Sequence, residues 1–199
     1  MSLALLADLT QILAEVFLEP DADLNTDLAL LREGEVSPAL AEPLGRMVEN
    51  PLDRAAQPVE YARLFLHAKD TDVVHLFESV QARGHHMAPD VLVPLKAIYD
   101  EADISLQEGL GIPPDHLGLE FACLNFLLVQ VIEGDLSETA RFVTLAQRLI
   151  REHLLPFTQA VAKQLPLVEA HAYYLAATEL ALTLLLKVQG ALAIDGLHQ

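Results

Sequence analysis

Two pairs of neighbouring polar residues, in separate parts of the sequence, carry side chains suited to chemistry. Asp115 precedes His116 after two prolines, and Glu78 precedes Ser79. A carboxylate that orients a histidine, which then activates a serine, is the arrangement of a hydrolytic triad. Neither pair stands in the strand–turn–helix pattern that presents such a nucleophile, so we expect no catalytic residue and no enzyme.

Histidines are the second candidate for chemistry. His67, His75, His85 and His86 fall within 20 residues and would be metal ligands if the fold brought them together. No pair has the i, i+4 spacing that puts two ligands on one helix face, and a single cysteine cannot build a thiolate zinc site. The sequence also has no glycine-rich phosphate loop and no Gly-x-Ser-x-Gly motif. We therefore predict neither a metal site nor a cofactor.

The elements that position these residues are predicted to be helices. Pro113 and Pro114 have no N–H to donate, and each disfavours helix in the residue before it. An almost wholly apolar run, residues 117–132, follows at once, which predicts a buried helix with Asp115 as its N-cap. Cys123 falls within this run and is expected to be a buried thiol.

Similar signals predict helices along the rest of the chain. Apolar residues at helical spacing indicate a first helix over residues 3–17 that is closed by Pro20. Ser37 followed by Pro38 indicates an N-cap and a first helical turn, and residues 135–138 have the pattern of a capping box. Further helices are expected over residues 25–34, from Pro58, over 75–84, over 88–99, after Pro156 as a short separate segment, and from Pro166 to about Gln189.

No alternating strand pattern interrupts this series. The sequence therefore predicts an all-α fold, a compact bundle of about nine or ten helices. We expect one domain made of two lobes, residues 1–108 and 109–199, joined by a hinge at Pro113-Pro114.

The chain is strongly acidic, with a formal net charge of −17 over 199 residues. Such a charge repels nucleic acid and anionic membrane surfaces, and it attracts a basic partner. The N-terminus lacks the basic region of a signal peptide, and the most membrane-like run, residues 172–186, is shorter than the roughly 20 residues needed to span a bilayer. We expect a cytoplasmic protein with no membrane span and no nucleic-acid partner.

Three segments together indicate a family. Pro-Pro-Asp-His-Leu-Gly-Leu-Glu-Phe, residues 113–121, resembles the Pro-x-Asp-His signature of the TorD/DmsD family of redox-enzyme maturation chaperones. Residues 61–65, Tyr-Ala-Arg-Leu-Phe, are similar to that family's Tyr-x-x-Leu-Phe helix. Glu78-Ser79-Val80 is similar to its Glu-Ser-Val/Tyr segment. Length, acidity and the helical pattern agree, so the resemblance covers most of the chain.

The resemblance implies a cytoplasmic chaperone for a molybdopterin-containing oxidoreductase. Such a chaperone binds the apoenzyme and its twin-arginine leader peptide, favours cofactor insertion and delays export, as a monomer or a helix-exchanged dimer. Carboxylates would pair with the leader arginines and apolar side chains would line a groove for its apolar stretch. The implied peptide-binding residues are Tyr61, Leu64, Phe65, Glu78, Ser79, Pro114, Asp115, His116, Leu117 and Glu120, with Phe77 beside them.

Two alternatives remain open from the sequence. One is a helical protein that binds a nucleotide or another small molecule at the same segment. The other is an acidic helical adaptor that has no leader-binding groove.

Overall fold

The structure, a computed structural model, describes residues 2–18, 24–66, 73–105 and 111–195, and every regular element in these ranges is helical. The predicted all-α fold is confirmed. Pro20 and His67 lie outside the described residues. The helices are α1 (Leu3–Phe17), α2 (Leu24–Glu33), α3 (Pro38–Glu49), α4 (Ala56–Tyr61), α5 (Glu78–Arg83), α6 (Pro89–Glu101), α7 (Leu117–Glu133), α8 (Leu136–Leu149), α9 (Leu155–Gln164) and α10 (Ala172–Asp195), with π-helical segments at Ala62–Leu66 and Ile150–Leu154 and a 3-10 turn at Leu165–Val168.

The core is built around α7, which packs against α1 over much of its length. The rings of Phe17 and Phe121 stack with centroids 6.1 Å apart, and the Asn125 amide donates to the carbonyl oxygen of Ala7 at 2.8 Å. Helix α3 packs in turn against α10, and buried apolar side chains from α1 to α10 form one cluster. The division into two lobes at Pro113-Pro114 and the oligomeric state stay predictions.

Two prolines do not act as the sequence predicted. Helix α8, the π-helical segment Ile150–Leu154 and α9 follow one another without a break, so Pro156 does not separate them. A proline inside a helix lacks one N–H and crowds the carbonyl group four residues earlier. The wider π turn just before Pro156 takes up both defects, and the helix continues.

The prediction that the last helix begins at Pro166 is also wrong. Pro166 lies in the 3-10 turn, Glu169 then adopts a left-handed conformation with φ 51°, and α10 begins at Ala172. The turn reverses the chain before α10 starts, so the proline ends one helix rather than beginning the next.

Helix α10 is longer than the apolar run in the sequence suggested. Its stretch Ala172–Ala193 is long and apolar enough to cross a membrane by length and composition, but half of it, 50%, is buried inside the protein. Glu179, in the middle of this stretch, forms an ion pair with Arg46 of α3. These contacts are those of a helix that packs in a protein core.

Most predicted helix starts are found, although their caps differ in detail. Ser37 is the N-cap of α3 with Pro38 in the first turn, but its hydroxyl makes no capping hydrogen bond. Asp135 is the N-cap of α8, and the Glu138 N–H bonds the Asp135 carbonyl rather than its carboxylate, so the capping box does not form. Residues 25–27 lie in the first turn of α2 rather than ahead of it.

Candidate functional site

Asp115 joins the segment ahead of α7 to the N-terminus of α5. Its carbonyl oxygen accepts the N–H of Glu78 and its Oδ2 accepts the N–H of Ser79, both at 2.9 Å. Two residues after Asp115, the Leu117 N–H donates to the Leu76 carbonyl oxygen at 3.0 Å. The first N–H groups of a helix have no partner within it, so Asp115 acts as an N-cap for α5 from a distant part of the chain. The structure thereby places the Glu-Ser and Asp-His pairs in direct contact.

The prediction that Asp115 caps α7 is wrong, because its carboxylate is turned toward α5. His116 is the N-cap of α7, and its Nδ1 accepts the N–H of Gly118 at 3.2 Å. This bond requires an unprotonated Nδ1. Burial lowers the pKa of His116 to about 4, although the nearby Asp115 carboxylate opposes the shift. The imidazole is therefore neutral at pH 7 and acts as a hydrogen-bond acceptor.

We expect His116 to make the fold acid-sensitive between pH 6.5 and 4. In the unfolded chain a histidine binds its proton near pH 6.5, whereas the folded chain resists protonation of His116 until about pH 4. Stability is then complete above pH 6.5 and declines as the pH falls, by on the order of 2 kcal/mol at pH 5. Urea unfolding at pH 7 and pH 5 should show that His116→Asn, which keeps a capping acceptor, loses less stability than the wild type.

The matched control is His85→Asn, since His85 is exposed. This variant should lose the same stability as the wild type between the two pH values. If the wild type and His116→Asn lost the same stability between pH 7 and pH 5, the role of the His116 ring as an unprotonated helix cap would be contradicted.

His153 is a member of this site that the sequence did not indicate. Its Nδ1 lies 2.8 Å from Oε2 of Glu78, and both side chains are buried. The histidine comes from the π-helical segment Ile150–Leu154, 75 residues further along the chain. No local motif surrounds His153, and only the fold brings it to α5. The pair ties α5 to the junction of α8 and α9.

Glu120 lies in the first turn of α7 and is fully buried. Neither of its carboxyl oxygens has a hydrogen-bond partner among the described residues, and the same holds for Oδ1 of Asp115. Burial raises the pKa of Glu120 well above its ordinary range, and the nearby carboxylates of Glu78 and Asp115 raise it further. Burial and these two neighbours therefore favour the protonated form of Glu120.

The arrangement does not form a hydrolytic centre. The Ser79 hydroxyl is buried and accepts the N–H of Ala88 at 3.1 Å, and His116 uses Nδ1 for its helix cap. A nucleophile needs both access for a substrate and a base within reach. The buried Ser79 hydroxyl does not meet the first condition.

An apolar cavity of about 140 Å³ opens beside the Asp-His segment, and we call it the His116 groove. No Lys, Arg, Asp or Glu is among the described residues that line it. Two larger depressions lie elsewhere, of about 480 Å³ beside Val59 and about 380 Å³ beside Phe126, and neither contains a predicted site residue. The lining of the His116 groove is Leu18, Tyr61, Leu66, Phe77, Gly111, Ile112, Pro113 and His116.

The predicted site residues divide into two groups. Tyr61 and His116 line the groove, and Pro114 follows the groove residue Pro113 and accepts a hydrogen bond from Tyr99. The Tyr61 hydroxyl also donates to the carbonyl oxygen of Phe17 at 2.8 Å. The others lie beneath the surface as buried residues: Leu64, Phe65, Glu78, Ser79, Asp115, Leu117 and Glu120.

Three of the four histidines considered as metal ligands, His75, His85 and His86, lie among the described residues. His85 and His86 are exposed, and the His86 ring packs against Phe77 with centroids 5.0 Å apart. The rings of His75 and His86 are 6.2 Å apart in an edge-to-face arrangement. Within the part of the chain that the structure describes, no three His, Cys, Asp or Glu side chains are grouped closely enough to hold a metal ion.

Comparison with known proteins gives one match. The family model described as "Nitrate reductase delta subunit" matches residues 33–163, about two thirds of the chain, and this range contains Glu78, Asp115, His116, Glu120 and His153. No curated protein and no solved structure matches the chain. The resemblance to redox-enzyme maturation chaperones is confirmed, and the TorD/DmsD branch stays a prediction. The chain belongs to the nitrate reductase delta subunit family, a TorD-like family of chaperones for molybdoenzyme maturation.

Proposed function

We propose that this chaperone binds the twin-arginine leader peptide of an apo molybdopterin-containing oxidoreductase in the cytoplasm. Binding holds the client back from export while the cofactor is inserted. The observation that carries the proposal is the position of the His116 groove. It includes Pro113 and His116 of one family-like segment, and Phe77, which immediately precedes Glu78 of another.

The size and lining of the groove suit an apolar side chain of the leader. A cavity of about 140 Å³ holds one large aliphatic or aromatic side chain, not a whole ligand of drug size, which needs roughly 300 Å³ or more. A helical or extended peptide that inserts one such anchor leaves its remaining side chains over the surrounding surface.

The small volume and the absence of charge weigh against the nucleotide alternative. A nucleoside triphosphate needs several cationic or N–H donors around its phosphates. The described lining of the groove supplies no lysine or arginine, and the net charge of −17 repels a polyanion.

The charge of the chain supports a basic partner. A leader with two arginines approaches a surface whose average potential is negative, which raises the association rate at low salt. The buried carboxylates are a separate matter, because Glu78, Asp115 and Glu120 are each at most 8% exposed. The described structure therefore gives a leader arginine little access to these three carboxyl groups.

Placing a charge in the His116 groove should abolish the contribution that an apolar side chain of the leader makes to binding there. Leu66 lines the groove and is 49% exposed, so Leu66→Glu leaves the core intact while it puts a carboxylate beside the leader. We expect the Kd for a twin-arginine leader from a molybdoenzyme of the same genome to rise at least about tenfold, as for loss of an interface anchor. Titration by fluorescence anisotropy measures this change.

The matched control is Leu30→Glu on α2, where Leu30 is 62% exposed and outside the groove. Both variants add the same charge, so any general effect of that charge on the association rate of the leader is equal in the two. The control should bind within about twofold of the wild type. Equal affinities for Leu66→Glu and Leu30→Glu would remove the groove from the site, and a wild type that binds no such leader would remove the function.

A further inference from the structure

Phe77 is the least buried of the three rings that line the His116 groove. Tyr61 and His116 are 2% and 6% exposed, and the side chain of each makes a hydrogen bond to the backbone. Phe77 is half-buried, and its ring packs against His116 and the exposed His86, with centroids 5.2 Å and 5.0 Å away. The position of the Phe77 ring therefore depends on how the backbone of residues 75–77 is held.

Gln81 of α5 holds this backbone at two points. Its side-chain Nε2 donates to the carbonyl oxygen of His75 at 2.8 Å, and its backbone N–H donates to the carbonyl oxygen of Phe77 at 3.1 Å. A glutamine side chain has many rotamers and loses conformational entropy when it is fixed. It can anchor the His75 carbonyl group firmly only if something else fixes the Gln81 amide.

Gln164 of α9 fixes that amide. Nε2 of Gln164 donates to Oε1 of Gln81, and Nε2 of Gln81 donates to Oε1 of Gln164 at 3.3 Å. An amide side chain has two N–H donors and one oxygen, and His75 and Gln164 together occupy all three in Gln81. Gln164 lies 83 residues beyond Gln81 and does not line the His116 groove.

A second contact joins α5 to the same stretch of helix. Glu78, one turn before Gln81, is bonded to His153 in the π-helical segment that continues directly into α9. Helix α5 is thus attached through both Glu78 and Gln81 to one continuous helix. The groove wall that precedes α5 is set by this helix as well as by the segment that carries Asp115.

We propose that Gln164 is a positioning residue for leader binding: it orients Gln81, which holds Phe77 in place as a wall of the His116 groove. A wall that is already ordered spares the leader the cost of ordering it on binding. This inference rests on the proposed function and adds to it a residue that does not itself touch the groove.

Two measurements on Gln164→Ala test the positioning. The Kd for a twin-arginine leader should rise about two- to tenfold, as for the loss of one pre-ordered contact. In the protein without leader, the amides of Val80 and Gln81, which donate to the Phe77 carbonyl oxygen, should exchange faster. Gln164→Glu, which keeps an acceptor for Gln81, should fall between the alanine variant and the wild type. Gln159→Ala, at an exposed glutamine of the same helix, should match the wild type in both measurements.

The double variant Phe77→Ala/Gln164→Ala shows whether Gln164 acts through Phe77. Its Kd should lie within about twofold of that of Phe77→Ala alone, because the wall that Gln164 positions is already gone. Full multiplication of the two single effects would overturn the proposal, and so would a Gln164→Ala protein that binds and exchanges like the wild type.

The exchange measurement separates this inference from the proposed function. A wild type that binds no twin-arginine leader would overturn the proposed function. Faster exchange at Val80 and Gln81 in Gln164→Ala would even then support the hold of Gln164 on this segment, and unchanged exchange would overturn it.

Discussion

Replacing His153 with leucine is expected to lower the free energy of unfolding by about 3–5 kcal/mol, the largest effect of any single change considered for this chain. The variant removes the partner that lies 2.8 Å from Oε2 of Glu78 and leaves that carboxyl group buried without its hydrogen bond. An unpaired buried polar group bears its full desolvation penalty. Urea or guanidinium denaturation at pH 7 measures the loss.

The double variant Glu78→Met/His153→Leu is the decisive comparison. It removes both partners and fills their space with apolar groups of similar size, so we expect it to recover most of the stability lost by the single change. His85→Leu, at an exposed histidine, should change stability by less than about 0.5 kcal/mol. A double variant as unstable as His153→Leu would contradict the view that the penalty comes from the unpaired Glu78.

Gly118→Ala is expected to cost about 3 kcal/mol, even though alanine favours helix over glycine. A Cβ at position 118 would stand 2.9 Å from the carbonyl oxygen of Ala14 and 2.5 Å from Cγ of Leu18. The backbone of α1 cannot yield as a flexible side chain can. The substitution therefore pushes α1 away from α7, the pair of helices at the centre of the core. The free energy of unfolding measures the effect.

Gly190→Ala is the matched control within another helix. Nothing lies within 4 Å of a Cβ placed there, and the residue is exposed on α10. Its only effect should be the helix propensity, a gain of about 0.5–1 kcal/mol. If both alanine variants changed stability by the same amount and sign, the close approach of α1 and α7 at Gly118 would be disproved.

Much of the fold could be predicted because local signals and tertiary packing agree. Apolar residues at helical spacing define α1, and Ser37-Pro38 begins α3 where the sequence indicated. The errors arise where packing changes the local outcome. The π-helical segment before Pro156 lets one helix continue where a proline predicts an end, and its wider turn has no signature in the sequence.

The site was predictable in part, because its segments can be recognised from their residues but their contacts cannot. The segments that carry Glu78 and Asp115 could be selected from their residues, but their contact is a bridge between positions 77 and 116 that only the fold creates. His153 could not be found, because its partner is 75 residues away. The sequence predicts Asp115 as the cap of the helix that follows it, whereas its carboxylate caps a helix nearly forty residues earlier.

Hydrogen exchange with and without a twin-arginine leader locates the bound leader on the protein. We expect the leader to slow exchange at amides of residues 74–79, 111–112 and 115–118, which border the His116 groove. Residues 52–60, around the larger depression beside Val59, should exchange at unchanged rates. Protection confined to residues 52–60, or binding without protection of either region, would contradict the assignment of the leader to the His116 groove.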